Sequence, residues 1–141
     1  MKRLILITTY SMLIFGFSCS KRYDWMNPLD PANDLPPNVP TNYNPFDGTQ
    51  GVNPYDCYFF YWFVSDPNPG DYVTSCDVYL GSVNPPPYFV QATYDANGGT
   101  PLYIFHTDNL QPLTTYYWRV VLRDNHKKTT STPIWSFTTG Y

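Results

Sequence analysis

The sequence predicts an all-β fold, a β-sandwich of seven short strands, and three observations carry the prediction. From Pro40 to Tyr141, short apolar runs alternate with turn clusters at a spacing that fits seven strands into about 100 residues. None of these runs keeps a helical period. The residues that cover exposed helix surfaces are nearly missing: all 11 acids are Asp, and Ala occurs only at Ala32, Ala92 and Ala96. Aromatic residues make up 19% of the 141, enough apolar area to offset the entropy lost on folding, which argues against a disordered chain.

The chain begins with two positive charges in Met1-Lys2-Arg3, then an apolar run over residues 4–17 that ends at Ser18-Cys19. A basic start, an apolar stretch of roughly 7–15 residues and a small residue at the cut are the layout of a secretory signal. The run falls short of the about 20 residues that a membrane span needs. Ser18-Cys19-Ser20 resembles the lipobox of bacterial lipoproteins, with Gly16 and Phe17 standing where that motif has Leu and then Ala or Ser. The resemblance implies cleavage of a signal peptide after residue 18, acylation of the Cys19 sulfur with palmitate-like chains, and anchoring in the cell envelope. Ser20, rather than Asp, after the cysteine implies the outer membrane or cell surface. Two or three acyl chains hold a protein stably where one binds only marginally. Residues 19–39 read as a disordered tether: they carry four prolines and no apolar periodicity, and would reach on the order of 60 Å at about 3 Å per residue. Within it, Asp24-Trp25-Met26 is the stretch able to dock on the domain or on a partner.

The domain follows at residues 40–141. A weak edge strand is expected near Thr41–Tyr43 or Gly51–Val52. Cys57–Val64 is a continuous apolar run of eight bounded by Asn53-Pro54 and by Asp66-Pro67-Asn68-Pro69-Gly70-Asp71, and it reads as a strand covered on both faces. Val73–Leu80 ends at Gly81, Tyr88–Tyr94 follows a run of three prolines, and Pro101–His106 follows a turn that contains Gly98-Gly99. Thr115–Arg123 has the strongest β composition, and Pro133–Thr139 closes the series.

Four segments in this order resemble the fibronectin type III family. Leu110-Gln111-Pro112-Leu113-Thr114-Thr115-Tyr116 is similar to its corner between strands E and F, and Trp62 falls at the core tryptophan of its strand B. Cys76–Gly81 is similar to its strand C, with Cys76 in the place of the usual tyrosine, and Pro133–Thr139 to its strand G. The resemblance implies an immunoglobulin-like sandwich over residues 40–141. Alternation then sends Tyr116, Trp118, Val120 and Leu122 inward from one strand, Tyr58, Phe60, Trp62 and Val64 from a second, and Cys76, Val78 and Leu80 from a third. Trp135 and Phe137 complete the core, Leu110 plugs its end, and the Tyr116 hydroxyl is expected to bond backbone a few residues upstream.

Cys57 and Cys76 could pair in an exported compartment. Simple alternation sets them on opposite faces, and a bulge early in the strand would reverse that. No metal or cofactor is expected, because two Cys and the distant His106 and His126 have no ligand spacing. The Asp66–Asp71 segment, with Asp77 beyond it, offers alternating oxygens, but its two prolines and the position of its glycine favour a rigid turn over a calcium loop. No nucleophile motif accompanies either histidine, so no catalytic residue is expected.

Charge is distributed unevenly. Without residues 1–18 the chain keeps six basic residues against 11 Asp, a net charge of −5, which suits nucleic acid poorly. No Lys or Arg lies between Arg22 and Arg119, and then Arg119, Arg123, Lys127 and Lys128 come together. Arg119 could pair with Asp77 on a neighbouring strand. Alternatively these four residues, with outward Tyr79 and Tyr117, form a contact patch for a protein or a saccharide. The expected function is that of a cell-envelope lipoprotein that presents a single non-enzymatic binding or adhesion module. A structural accessory subunit of an envelope or secretion complex is the alternative, ahead of a small extracellular hydrolase.

Overall fold

The computed structural model describes residues 33–56, 58–95, 102–108 and 110–141. The signal segment, Cys19 and Cys57 lie outside the described residues, as does Asp24-Trp25-Met26. The described chain is all-β, with no helix, and it forms two packed sheets. Its strands are β1 (Tyr43–Asn44), β2 (Thr49–Val52), β3 (Tyr58–Phe63), β4 (Val73–Gly81), β5 (Tyr88–Gln91), β6 (Thr93–Asp95), β7 (Leu102–Thr107), β8 (Thr115–Asp124), β9 (Thr129–Ser131) and β10 (Trp135–Thr139). One sheet runs β1-β3-β7-β6, the other β2-β10-β8-β4-β5, with β9 also paired to β8.

The count exceeds seven for three separate reasons. Both candidates for the first strand form: β1 pairs with β3, and after a bend β2 runs parallel to β10 in the other sheet. The bend needs Gly48, which takes a φ of 78°. The expected strand at 88–94 divides at Ala92. Its first half pairs with β4 and its second half with β7, so the chain crosses from one sheet to the other there. Ala92 is buried and small, and its N–H donates to the Cys76 carbonyl at 2.9 Å as the chain leaves the first sheet. The last expected strand forms within its bounds as β10, and Thr132-Pro133-Ile134 separates it from a strand that the sequence does not predict. Before the break lies β9, which completes a hairpin with β8 and has too little apolar content to be visible in the sequence. Across the break Thr132 trades two hydrogen bonds with Val120, one through its N–H and one through its hydroxyl.

Inward alternation gives the core that the sequence predicts. Phe60, Trp62, Cys76, Val78, Trp118, Val120, Leu122 and Phe137 are fully buried, and Val64, Leu80, Leu110 and Trp135 nearly so. Aromatic rings fill the space between the sheets. Phe60 stacks on Phe105 at 4.3 Å between centroids and meets Trp118 edge-on at 5.3 Å, while Trp135 lies 4.7 Å from Trp118. Tyr43 closes one side by stacking on Trp135 at 3.8 Å. The Tyr116 hydroxyl accepts from the Gln111 N–H at 2.9 Å, the upstream backbone bond expected of it. Cys76 is a free thiol packed in this core, and burial pushes its pKa up to about 12.

Residues 34–38, assigned to the tether from sequence, are instead docked on the sandwich. The Leu35 N–H donates to Asn68 Oδ1 at 2.9 Å and the Asn38 N–H to the Ser65 carbonyl at 3.0 Å. The Pro37 carbonyl accepts from the Thr130 hydroxyl. With no donor of their own, Pro36 and Pro37 fit a strap that offers carbonyls to its neighbour.

Candidate functional site

The basic residues singled out in the sequence are strung along β8 and the turn beyond it. Tyr117, Arg119 and Arg123 lie along one face of β8, spread over roughly 20 Å at about 3.3 Å per residue. Arg119 sits opposite Tyr79, and Asp77 opposite Val121, so the expected pairing of Arg119 with Asp77 is two residues out of register. The Arg119 guanidinium lies 4.5 Å over the Tyr79 ring, and Tyr79 meets Tyr88 edge-on. That contact is a cation–π pair, worth about 0.5–1 kcal/mol at an exposed position. Lys127 and Lys128 stand beyond the end of the strand, in the turn between β8 and β9. Lys127 takes a φ of 72°, and the Lys128 ammonium is held at 3.2 Å by the Asp34 carbonyl.

That turn helps to build the most developed site in the described residues. Asp124, 1% exposed, folds the turn by accepting the N–H groups of His126 and Lys128 on Oδ1, both at 2.8 Å. Asn125 then locks the turn to the loop between β3 and β4. Its N–H donates to the Tyr72 carbonyl, its Oδ1 accepts the Tyr72 N–H, and its Nδ2 donates to Asp71 Oδ1. The β3–β4 loop is a rigid turn, as its prolines predict. Asn68 N–H donates to Asp66 Oδ1, Asp71 N–H donates to the Asn68 carbonyl, and Gly70 takes a φ of 91°.

Beside this loop opens a cleft of about 420 Å³. Buried Val64, Val73 and Tyr103 contribute its apolar lining, exposed Tyr72 and Tyr94 stand at its sides, and Asp66 and Asp71 bring carboxylates to it. The Tyr94 ring lies 5.3 Å from that of Tyr103. Tyr103 is fixed from below, since its hydroxyl donates to the Val73 carbonyl at 3.2 Å, and burial raises its pKa to about 12. The Asp66 carboxyl is held above its ordinary range by burial and by the negative charges of Asp71, Asp124 and Asp34, against a lowering hydrogen bond from Asn68. The cleft thus sets flat aromatic faces beside carboxylate oxygens.

On the far side of Asp71 lies a second cluster. His126 Nδ1 is 3.2 Å from Asp71 Oδ2 and 3.6 Å from Asp34 Oδ1. From the sequence, Asp34 falls in the tether and His126 carries neither ligand spacing nor a nucleophile motif. Asp34, Asp71 and His126 are too far apart in the chain for spacing to reveal the group. Of the remaining sequence candidates, His106 sits on β7 opposite Phe59, and Asp77 lies in the middle of β4, away from the Asp66–Asp71 loop.

No protein-family model and no curated protein matches the chain. Solved structures do match. An alpha-L-rhamnosidase from Dictyoglumus thermophilum superposes with a TM-score of 0.53 and 17% identity, over 77% of this chain and 13% of the enzyme. The Streptomyces avermitilis alpha-L-rhamnosidase complexed with L-rhamnose gives 0.51 and 16%, over 74% of this chain and 10% of the enzyme. The likeness is one of fold: this chain spans about a tenth of the length of either neighbour.

Proposed function

We propose that this chain is a cell-envelope lipoprotein, acylated at Cys19 and held at the outer membrane or cell surface, that presents one non-enzymatic fibronectin type III-like module to a saccharide. The strand order supports the immunoglobulin-like reading: β1, β3, β7 and β6 fall in the order A-B-E-D, and β10, β8 and β4 in the order G-F-C. The observation that carries the binding role is the cleft between Tyr72 and Tyr94, which are 62% and 50% exposed at the end of an otherwise well-packed sandwich. Exposed aromatic rings beside carboxylates suit a neutral, hydroxyl-rich ligand better than an acidic one. A sandwich of this shape also forms a small part of two enzymes described as rhamnosidases, which suits an accessory, sugar-facing role. A second reading, as an accessory subunit of an envelope complex, draws on Tyr88 and Phe89, both exposed on the edge strand β5.

The full chain, extracted in detergent, should bind at least one neutral polysaccharide in a panel of neutral and acidic ones. Tyr94→Ala should weaken that binding by about tenfold, equivalent to about 1.4 kcal/mol, while Tyr117→Ala on the sheet face should not. Equal affinity in the two variants would place the ligand elsewhere, and a single stoichiometric protein recovered from crosslinked envelopes would favour the accessory reading. The anchor is tested separately: radiolabelled palmitate should label the chain and be lost in Cys19→Ser. Label that persists in that variant would end the lipoprotein reading.

A further inference from the structure

The cluster at the turn between β8 and β9 is short of positive charge. Asp34 has a side chain only 4% exposed, yet neither of its carboxylate oxygens accepts a hydrogen bond among the described residues. Asp66 and Asp124 each keep one buried oxygen in the same condition. Leaving an ionised carboxylate buried and unpaired is among the most costly arrangements a fold can contain. The basic side chains nearby do not relieve it. Lys128 spends its ammonium on the main-chain carbonyl of Asp34. His126 presents a single atom, Nδ1, to two carboxylates at 3.2 and 3.6 Å, and one proton there can serve only one of them well.

One ion placed among these three side chains would serve all of them. The donor atoms of Asp34, Asp71 and His126 lie within 4.8 Å of one another. A tetrahedral ion bound at about 2.0–2.2 Å separates its ligands by roughly 3.3–3.6 Å, close to both the observed nitrogen–oxygen distances. We propose that Asp34, Asp71 and His126 form a binding site for one divalent cation of the zinc class. The ligands are a carboxylate oxygen from each aspartate and Nδ1 of His126, and the remaining position opens to solvent on the exposed side of the imidazole, where the histidine is 44% exposed. A site of few ligands that includes imidazole suits zinc, whereas calcium and magnesium take six or more oxygens. Because the ligands come from the docked N-terminal segment, the β3–β4 loop and the β8–β9 turn, the ion would pin three separate parts of the chain together. The proposal does not depend on what the cleft binds.

The test uses the full chain in detergent, freed of metal with a chelator and titrated with zinc chloride in a calorimeter, with calcium and magnesium chloride as parallel arms. The expected result is one zinc per chain, a higher melting temperature with zinc, and much weaker responses to calcium and magnesium. His126→Ala removes a ligand from an exposed turn and should leave the metal-free melting temperature nearly unchanged. Loss of an outer-shell partner already weakens metal sites 10–100-fold, so this variant should lose about 100-fold or more in zinc affinity, and Asp34→Asn a comparable factor. Asp108→Asn, an exposed carboxylate outside the cluster, should bind zinc as the parent does. Absence of saturable zinc binding would overturn the proposal, as would zinc affinity that survives His126→Ala. Calcium binding that is tighter than zinc and indifferent to His126→Ala would do the same, since it would show an oxygen-only site.

Discussion

Replacing Trp118 with alanine should remove a large part of the stability of the sandwich. The side chain is fully buried in β8 and lies between both sheets, with Phe60 and Trp62 on one side and Trp135 and Tyr43 on the other. Removing so large a group from a packed core costs about 3–5 kcal/mol, because the lost burial is compounded by a cavity. Small domains have a total stability of about 5–15 kcal/mol. At about 4–8 °C per kcal/mol, the melting temperature of the full chain should fall by on the order of 20 °C, read from near-ultraviolet circular dichroism. Trp118→Phe should cost much less. It keeps most of the ring, and the indole N–H it removes has no hydrogen-bond partner among the described residues. A drop of only a few degrees in Trp118→Ala would mean that the rings around it close the gap and that the core is not organised about this residue.

The second large effect is expected at Asp124, a residue that touches neither the cleft nor the proposed ion. Its Oδ1 receives the N–H groups of His126 and Lys128, and its own N–H and carbonyl bond within the same turn, to Lys128 and Lys127. Asp124→Ala strands both N–H groups in a part-buried turn. Hydrogen bonds to a charged acceptor contribute about 1.5–3 kcal/mol each, so the variant should lose about 3–6 kcal/mol in urea denaturation of the metal-free chain. Asp124→Asn is the informative partner. Its amide oxygen can replace Oδ1, and it removes a negative charge from a neighbourhood that already holds Asp34, Asp66 and Asp71. It should therefore be close to neutral. Equal losses in the two variants would show that the charge of Asp124, not its acceptor, supports the turn.

Much of the sandwich was legible because strand alternation is a local rule. Once Tyr116 is set inward, Trp118, Val120 and Leu122 follow, and all three are fully buried as expected. Pairing between strands is not local, and there the reading failed. A sequence carries no direct record of which residue lies opposite Arg119, and the actual partner is Tyr79 rather than Asp77. The break at Ala92 was invisible for a related reason, since Tyr88–Tyr94 is an unremarkable strand until its two halves are seen to pair with different sheets. The candidate sites were the least legible part. Tyr72 and Tyr94 reach one cleft only through the crossing at Ala92 and the turn of the β3–β4 loop. Asp34 resembled a spacer residue, because proline-rich sequence looks the same whether it hangs free or lies in a groove.

The docked strap at residues 34–38 decides where a mechanical pull would act. Tension applied to the chain ahead of residue 33 would not reach β1 or the aromatic core first. It would be met by the Lys128 ammonium on the Asp34 carbonyl, the Leu35 N–H on Asn68 and the Thr130 hydroxyl on the Pro37 carbonyl. These bonds lie one after another along the strap and would open in turn, like a seam, the last of them pulling on β9. A domain hung from a surface by this end would therefore yield first at the loops that carry its cleft, and an ion shared by Asp34, Asp71 and His126 would be the stitch that sets how hard it must be pulled.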